Sequence, residues 1–104
     1  MVKFNRDRIS KEDVLTIVAE HCGVKVSKIL TRIREREVID ARHMYIAVMR
    51  YMFRYTTPDI GRLVDRDHTT ILDSLKKYNI RYMHYDDYRK VSDAIFETVK
   101  NKIS

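Results

Sequence analysis

Glycine, proline, cysteine and tryptophan are scarce in this chain of 104 residues, which has two glycines, one proline, one cysteine and no tryptophan. An all-β or α/β domain needs more turn residues than Gly23, Gly61 and Pro58 supply, so we expect an all-α domain. Because Cys22 is the only cysteine, no disulfide can form within the chain, and a reducing cytoplasm is the natural setting.

Long apolar runs and catalytic motifs are also missing. Residues 1–6 lack the apolar segment of a signal peptide, and no apolar run approaches the roughly 18 residues of a membrane span. We therefore expect a cytoplasmic protein without membrane insertion. There is no nucleophile–base set, and His21, His43, His84 and Cys22 lack the spacing of metal ligands, so we expect neither an enzyme nor a cofactor.

The charge that is present is mostly basic. Lysine and arginine number 21 against 15 acidic residues, which gives a net charge of +6 and a pI near 9.5. The excess is spread along the chain and is largest in residues 41–80, with 7 basic and 4 acidic side chains. This balance suits a polyanionic partner.

Length and patterning indicate one compact domain. A chain of 104 residues with 44% hydrophobic residues can bury one core but is too short for two. Residues 1–9 have no period and are interpreted as a flexible lead-in, which leaves residues 10–104 as the domain. Ser10 and Asp13 form a capping-box pattern for its first helix, and Gly23 supplies a stop.

Several further helices are expected, about six in all. Ser27 is a candidate cap for a short second helix. A long central helix should run from about Glu37 to about Tyr55, since its apolar residues cover more than one stripe. A last amphipathic helix should run from Tyr85 or Asp87 to Lys102 and needs a partner surface.

A helix-turn-helix pattern follows the central helix. Thr57 is a candidate N-cap with Pro58 at the first helical position, and the short helix then ends near Val64. The turn after it, Asp65-Arg66, is polar rather than glycine-containing.

The second helix of this pattern starts with small polar side chains. Asp67 is placed to cap it, and His68, Thr69 and Thr70 lie in its first turn. Its apolar stripe consists of Ile71, Leu75 and Tyr78, with Leu72 and Ile80 alongside. Hydrogen-bonding side chains at a helix start suit base edges in a major groove, while an ordinary capped surface helix is the alternative.

The order of these segments resembles the C-terminal DNA-binding domain of the bacterial replication initiator DnaA. The resemblance rests on Asp67-His68-Thr69-Thr70-Ile71-Leu72 preceded by Pro58-Asp59-Ile60-Gly61. It extends back through residues 17–20, 24–26, 29–30, the loop arginines Arg34 and Arg36, and residues 41–45. It covers roughly residues 10–80.

The resemblance implies an all-α, Trp-repressor-like fold whose helix-turn-helix enters the major groove of double-stranded DNA. Asp67, His68 and Thr69 match the base-reading positions, and Thr70 is implied to touch base or phosphate. Arg34 matches the basic-loop arginine that enters the adjacent minor groove.

The remaining positions implied to bind DNA lie outside the second helix of the helix-turn-helix, which we call the reading helix. Arg42 and Arg50 match positions near the phosphate backbone, Thr57 and Pro58 match contacts to backbone and a thymine methyl, and Arg66 in the turn joins the set. Alternatively, Arg42 and Arg50 are solvated helix charges.

Departures from the family pattern concern the loop and the turn. Ile33, Glu35 and Glu37 interrupt the basic loop, and Asp40 adds an acid, which should weaken phosphate attraction. Asp65 stands where the family usually has glycines, in a turn that is one residue shorter. The family's ATPase domain is missing, since no glycine-rich phosphate loop occurs; a free-standing relative, for example from a phage, and an excised domain both fit.

Sequence-specific binding of double-stranded DNA is therefore the leading hypothesis, and a steep salt dependence is expected. The alternative is an adaptor that uses the same fold to regulate a replication or transcription complex through a protein partner. The acidic loop and the tyrosines Tyr78, Tyr82, Tyr85 and Tyr88 motivate it, although packing under the last helix also explains these rings. Monomeric and dimeric binding both remain open.

Overall fold

A computed structural model describes residues 9–103 of the protein. They form six helices and no strand: α1 (Lys11–Cys22), α2 (Val26–Ile29), α3 (Arg36–Tyr51), α4 (Thr57–Val64), α5 (His68–His84) and α6 (Asp86–Ile103). The all-α prediction is thus confirmed. Of the expected lead-in, residues 1–8 lie outside the described residues, whereas Ile9 is buried in the core. Within residues 9–103, no helix is both long and apolar enough to span a membrane.

The ends of α1 are set by local chemistry. Ser10 Oγ accepts from the Asp13 amide at 3.1 Å, and Asp13 Oδ2 accepts from the Ser10 amide at 3.2 Å, which confirms the capping box. Gly23 ends the helix at φ 69°, a left-handed conformation that costs glycine little. The N-cap of α2 is Lys25 and makes no side-chain cap, so the prediction of a Ser27 cap is wrong.

The core is built around α3. Nine of its side chains between Val38 and Met49 are buried, and it packs against α1, α2, α4 and α5. Contact on several sides explains why its apolar residues exceed one stripe. The last helix, α6, covers α1 and α5 and buries Tyr88, Ile95 and Val99.

The junction between α3 and α4 differs from the prediction. α3 ends at Tyr51 rather than near Tyr55, because Arg54 adopts φ 58° and the Tyr55 amide donates to the Met49 carbonyl at 3.1 Å. This left-handed residue turns the chain back before the next helix begins.

The start of α4 is shifted by one residue from the prediction. Thr56, not Thr57, is its N-cap, and Thr56 Oγ1 accepts from the Asp59 amide at 3.2 Å. Pro58 is therefore the second helical residue, so the predictions of Thr57 as cap and Pro58 at the first position are wrong. Two adjacent threonines offer the same hydroxyl, and the sequence alone cannot choose between them.

Tyrosines join α5 to α6. Tyr78 and Tyr88 are buried, and Tyr78 Oη lies 2.5 Å from Ser92 Oγ. Tyr82 Oη donates to Asp93 at 2.6 Å, so packing under the last helix accounts for these three rings. Tyr85 alone of the tyrosine set is exposed.

The turn between α4 and α5 brings two backbones unusually close. Asp65 ends α4 in the left-handed conformation with φ 57°, which aspartate tolerates better than most residues. A Cβ placed on Gly61 would lie only 2.5 Å from the carbonyl oxygen of Arg66. The glycine that this turn requires is therefore inside α4, one helical turn before the left-handed residue.

We expect Gly61→Ala to lower the free energy of unfolding by about 1–3 kcal/mol, because the new methyl group forces the Arg66 carbonyl away. This loss should exceed the gain of about 1 kcal/mol from the better helix propensity of alanine. Urea unfolding measures both. Asp65→Gly is the matched control, and relief of the left-handed conformation should leave its stability unchanged or slightly higher. A Gly61→Ala variant as stable as the wild type would contradict the close approach.

Candidate nucleic-acid interface

The start of α5 presents a row of exposed polar side chains. Asp67 is its N-cap, as predicted, and Asp67 Oδ1 accepts from the Thr70 amide at 2.8 Å. This backbone hydrogen bond holds the pKa of the Asp67 carboxyl below its usual value. His68, Thr69 and Thr70 follow in the first turn and are exposed. Capping uses one carboxylate oxygen and leaves the other able to accept a further hydrogen bond.

A basic loop lies between α2 and α3. Arg32 and Arg34 are exposed in it, and Ile33 between them is half-buried. Alternating inward and outward side chains anchor the loop while directing two guanidinium groups to solvent.

Arg42 fastens this loop to α3. Arg42 Nε donates to the Ile29 carbonyl at 2.8 Å, and its Nη2 donates to the Ile33 carbonyl at 3.1 Å. Burial, together with the charges of Arg66 and Arg34, lowers the pKa of Arg42 from its usual value. The side chain therefore closes the end of α2 and fixes the loop, two tasks that a solvated surface charge does not perform.

Arg66 fastens the same loop to the helix-turn-helix. Arg66 Nη2 donates to the Thr31 carbonyl at 2.9 Å, and Nη1 donates to the carbonyls of Val64 and Asp65 at 3.0 and 3.1 Å. A residue predicted to contact DNA thus has a positioning role. It sets the place of the basic loop relative to the start of α5.

Two adjoining grooves surround these groups. The first, of about 650 Å³, lies between the loop, α3 and α5 and is lined by Arg32, Arg34, Arg36, Arg42, Arg66, Thr70, Asp73, Lys77 and Arg81, among others. The second, of about 540 Å³, lies beside the turn and is lined by Arg32, Pro58, Gly61, Arg62, Asp65, Arg66, Asp67 and His68. Arg32 and Arg66 line both grooves.

The structure brings most of the predicted site residues together. Arg34, Arg42, Arg66 and Thr70 line the first groove, Pro58, Asp67 and His68 line the second, and Thr69 is exposed in the same helical turn. Three predicted residues line neither groove, namely Thr69, Thr57 and Arg50. Thr57 is the half-buried first residue of α4, and Arg50 donates to the Tyr55 carbonyl at 3.0 Å.

Sequence reasoning missed several basic groups of these grooves. Lys77 and Arg81 follow Thr70 at helical spacing on α5, at i+7 and i+11, so periodicity from the predicted helix start indicates both. Arg36 was part of the basic-loop resemblance but was not among the predicted site residues, whereas Arg32 and Arg62 carried no comparable signal.

The acidic departures reduce the positive charge of the first groove. Asp40 lies 3.6 Å from Arg36 and 3.3 Å from Arg81, and both arginines line this groove. Glu35 lies 3.8 Å from Lys28, and neither residue is part of the lining. Burial raises the pKa of Asp40 in spite of the two arginines. Part of the basic charge is therefore paired within the protein, and the weaker phosphate attraction expected from the sequence stays a prediction.

His43 lies at the floor of the first groove and is 9% exposed. Burial is the main cause that lowers its pKa to about 4; Lys77, Arg42 and Arg36 act in the same direction and Asp73 opposes them. The imidazole is therefore neutral at pH 7. Among the side chains of residues 9–103, no group of three histidines, cysteines or acids could hold a metal ion.

Comparison with known families identifies the helix-turn-helix. Residues 11–77 match the family model described as the bacterial dnaA protein helix-turn-helix. The chain is 38% identical over 73 residues to the chromosomal replication initiator protein DnaA of Chloroflexus aggregans, a match that covers 69% of this chain and 15% of that protein. With the DnaA protein of Aliarcobacter butzleri it shares 30% identity over 103 residues, 98% of this chain and 23% of the relative. The chain thus spans less than a quarter of these relatives.

A solved structure shares the fold. A crystal structure of a DNA replication initiation factor superposes with a TM-score of 0.78 at 22% identity, covering 96% of this chain and 30% of that one. The likeness predicted for residues 10–80 therefore extends over the last helix, which belongs to the common fold.

We expect Arg42→Lys to lower the free energy of unfolding by about 1–2 kcal/mol, because one ammonium group cannot bridge the carbonyls of Ile29 and Ile33. Amide hydrogen exchange in the basic loop should become faster. Arg50→Lys is the matched control on the same helix, since a lysine can replace its single bond to Tyr55. Equal behaviour of the two variants would contradict the anchoring role of Arg42.

The buried imidazole of His43 predicts a pH dependence of stability. Its folded pKa of about 4 lies below the ordinary 6.5, so the unfolded chain binds the additional proton between these values. The free energy of unfolding therefore has its full value, as far as His43 is concerned, above about pH 6.5. It should fall by on the order of 2–3 kcal/mol as the pH drops towards 4. Urea unfolding across this range should show a flatter profile for His43→Gln. The exposed His84→Gln should keep the wild-type profile, and identical profiles for all three proteins would contradict the inference.

Proposed function

Because the chain belongs to the family of the bacterial DnaA helix-turn-helix, we propose that it binds double-stranded DNA and prefers a particular sequence. The family domain is a helix-turn-helix and is not catalytic. The relatives it matches are chromosomal replication initiators. The proposal includes a bacterial or phage-encoded protein that associates with the nucleoid in the bacterial cytoplasm.

The observation that carries the proposal is the link through Arg66. Its bond to the Thr31 carbonyl, at 2.9 Å, joins two segments that are 35 residues apart in the chain. It holds the exposed start of α5 and the exposed Arg34 loop in a fixed relation. Two separate contacts held in fixed register suit a duplex, whose neighbouring grooves have a fixed spacing.

The start of α5 supplies the chemistry of a major-groove reader. The free oxygen of Asp67 accepts from a cytosine amino group, and Thr69 offers its methyl group to a thymine. His68 donates to a guanine or thymine acceptor, and Thr70 reaches either a base or a phosphate. All four side chains are exposed, at the N-cap and in the first turn of a regular helix.

Arginines supply the remaining contacts. In the proposed complex, Arg34 enters the minor groove and reads its width rather than a hydrogen-bond code. Arg42 uses Nε and Nη2 on carbonyls and keeps Nη1 for a phosphate. Arg50, Thr57, Pro58 and Arg66 are proposed to position the duplex backbone, with Pro58 and Thr57 near a thymine methyl.

A protein-interaction adaptor is the second candidate, and an observation at the other end of α5 favours it. Ile80, Met83 and Tyr85 are exposed, with Met83 at 68%. Of the other tyrosines that motivated this alternative, Tyr78 and Tyr88 are buried and Tyr82 is half-buried. Stoichiometric co-purification with a protein, without DNA retention at low salt, would favour the adaptor.

Selection of duplexes from a random pool tests the DNA-binding proposal. We expect one enriched sequence, and an affinity that falls steeply with salt because phosphate contacts release counterions. On that duplex, Arg34→Ala and His68→Ala should each lose about 1–3 kcal/mol of binding free energy, measured by fluorescence anisotropy.

Two control variants distinguish the loss of a specific DNA contact from the loss of a positive charge or an imidazole elsewhere on the protein. Lys90→Ala removes one positive charge from α6, and His84→Ala removes an exposed imidazole from the opposite end of the reading helix. Both should bind nearly as the wild type does. A pool without enrichment and without salt dependence would refute DNA binding. Unchanged affinity in both Arg34→Ala and His68→Ala would refute the assigned contacts alone.

A further inference from the structure

Leu72 is a large apolar side chain exposed on the reading helix. It is 52% exposed, although its spacing predicted a place alongside the apolar stripe. The stripe itself, Ile71, Leu75 and Tyr78, is buried as predicted. Leu72 follows Ile71 by one residue, a rotation of about 100°, which carries it off the core face.

The position of Leu72 continues the row of proposed base readers. It follows His68 by four residues and Thr69 by three, so it stands one helical turn further along the same side of α5. The axial distance from His68 is about 6 Å, within the length of helix that a major groove admits. Lys76 stands another turn on and is also exposed.

The acid next to Leu72 is paired. Asp73 Oδ2 lies 2.9 Å from Lys77 Nζ, one helical turn further on. This ion pair offsets the repulsion that a bare carboxylate at this place would exert on phosphates. The second turn of α5 is thus able to approach a polyanion in spite of Asp73.

One chemical group in the major groove matches an exposed leucine. Most groups that distinguish the bases there are hydrogen-bond donors or acceptors, whereas thymine presents its C5-methyl group. We propose that Leu72 is a specificity-determining residue that contacts a thymine methyl one helical turn beyond the bases read by His68 and Thr69. This inference rests on the proposed DNA binding and adds a position to it.

Exchange of thymine for uracil tests the contact, because it removes the methyl group and nothing else. On the selected duplex, each thymine is replaced in turn by deoxyuridine, and affinity is measured for wild type, Leu72→Ala and Leu72→Met. At one thymine, apart from those assigned to Thr69 and to Pro58 and Thr57, the wild type should lose about three- to tenfold in affinity. Leu72→Ala should show the same loss on the unmodified duplex and no further loss at that thymine, while Leu72→Met keeps most of the discrimination.

Met83→Ala is the matched control, since Met83 is more exposed than Leu72 but lies in the last turn of α5. It should retain the wild-type response at every thymine. Leu72→Ala with an unchanged response to every uracil exchange overturns the contact, whether or not its overall affinity falls. Failure to enrich any duplex would instead refute the proposed function, and this inference with it.

Discussion

The guanidinium of Arg66 is the constraint on which the arrangement of the candidate interface depends. It joins the turn between α4 and α5 to the basic loop, because it donates to the carbonyls of Val64 and Asp65 in the turn and of Thr31 in the loop. Arg42 completes the attachment from α3 through the carbonyls of Ile29 and Ile33. A loop with few buried side chains is thereby held in place by charge-assisted hydrogen bonds, which are stronger than neutral ones.

Local signals in the sequence predicted the parts of the fold that local chemistry determines. The caps at Ser10 and Asp67 and the stop at Gly23 depend on residues within one turn of each other, and all three were predicted. The end of α3 was not, because it depends on a left-handed Arg54, a conformation without a sequence signature. Leu72 was expected beside the buried stripe but is exposed. In a short run of apolar residues, the sequence does not show which of them face the core.

The sequence predicted which exposed residues form the candidate site, but it did not predict the contacts that hold them in place. The exposed start of α5 and Arg34 followed from motif and resemblance, and the structure places them at adjoining grooves. The sequence could not predict that Arg42 and Arg66 anchor the basic loop, because the carbonyls through which they hold it are 9 to 35 residues away in the chain. The ion pair between Asp40 and Arg81 could not be predicted from the sequence either, because the two residues are 41 positions apart. Each of these contacts exists only once the helices have packed.

The close approach of Gly61 to the Arg66 carbonyl affects whether the protein or its partner changes conformation when a complex forms. Because the backbones of Gly61 and Arg66 are already in contact, α4 and α5 cannot move closer together at this point when a partner binds. This part of the helix-turn-helix is ordered on folding, so its ordering does not have to accompany binding. A partner that fits imperfectly must then supply the deformation itself. For a duplex, the stiffness of the base steps between the two proposed contacts would enter the preference, even at steps that no side chain touches.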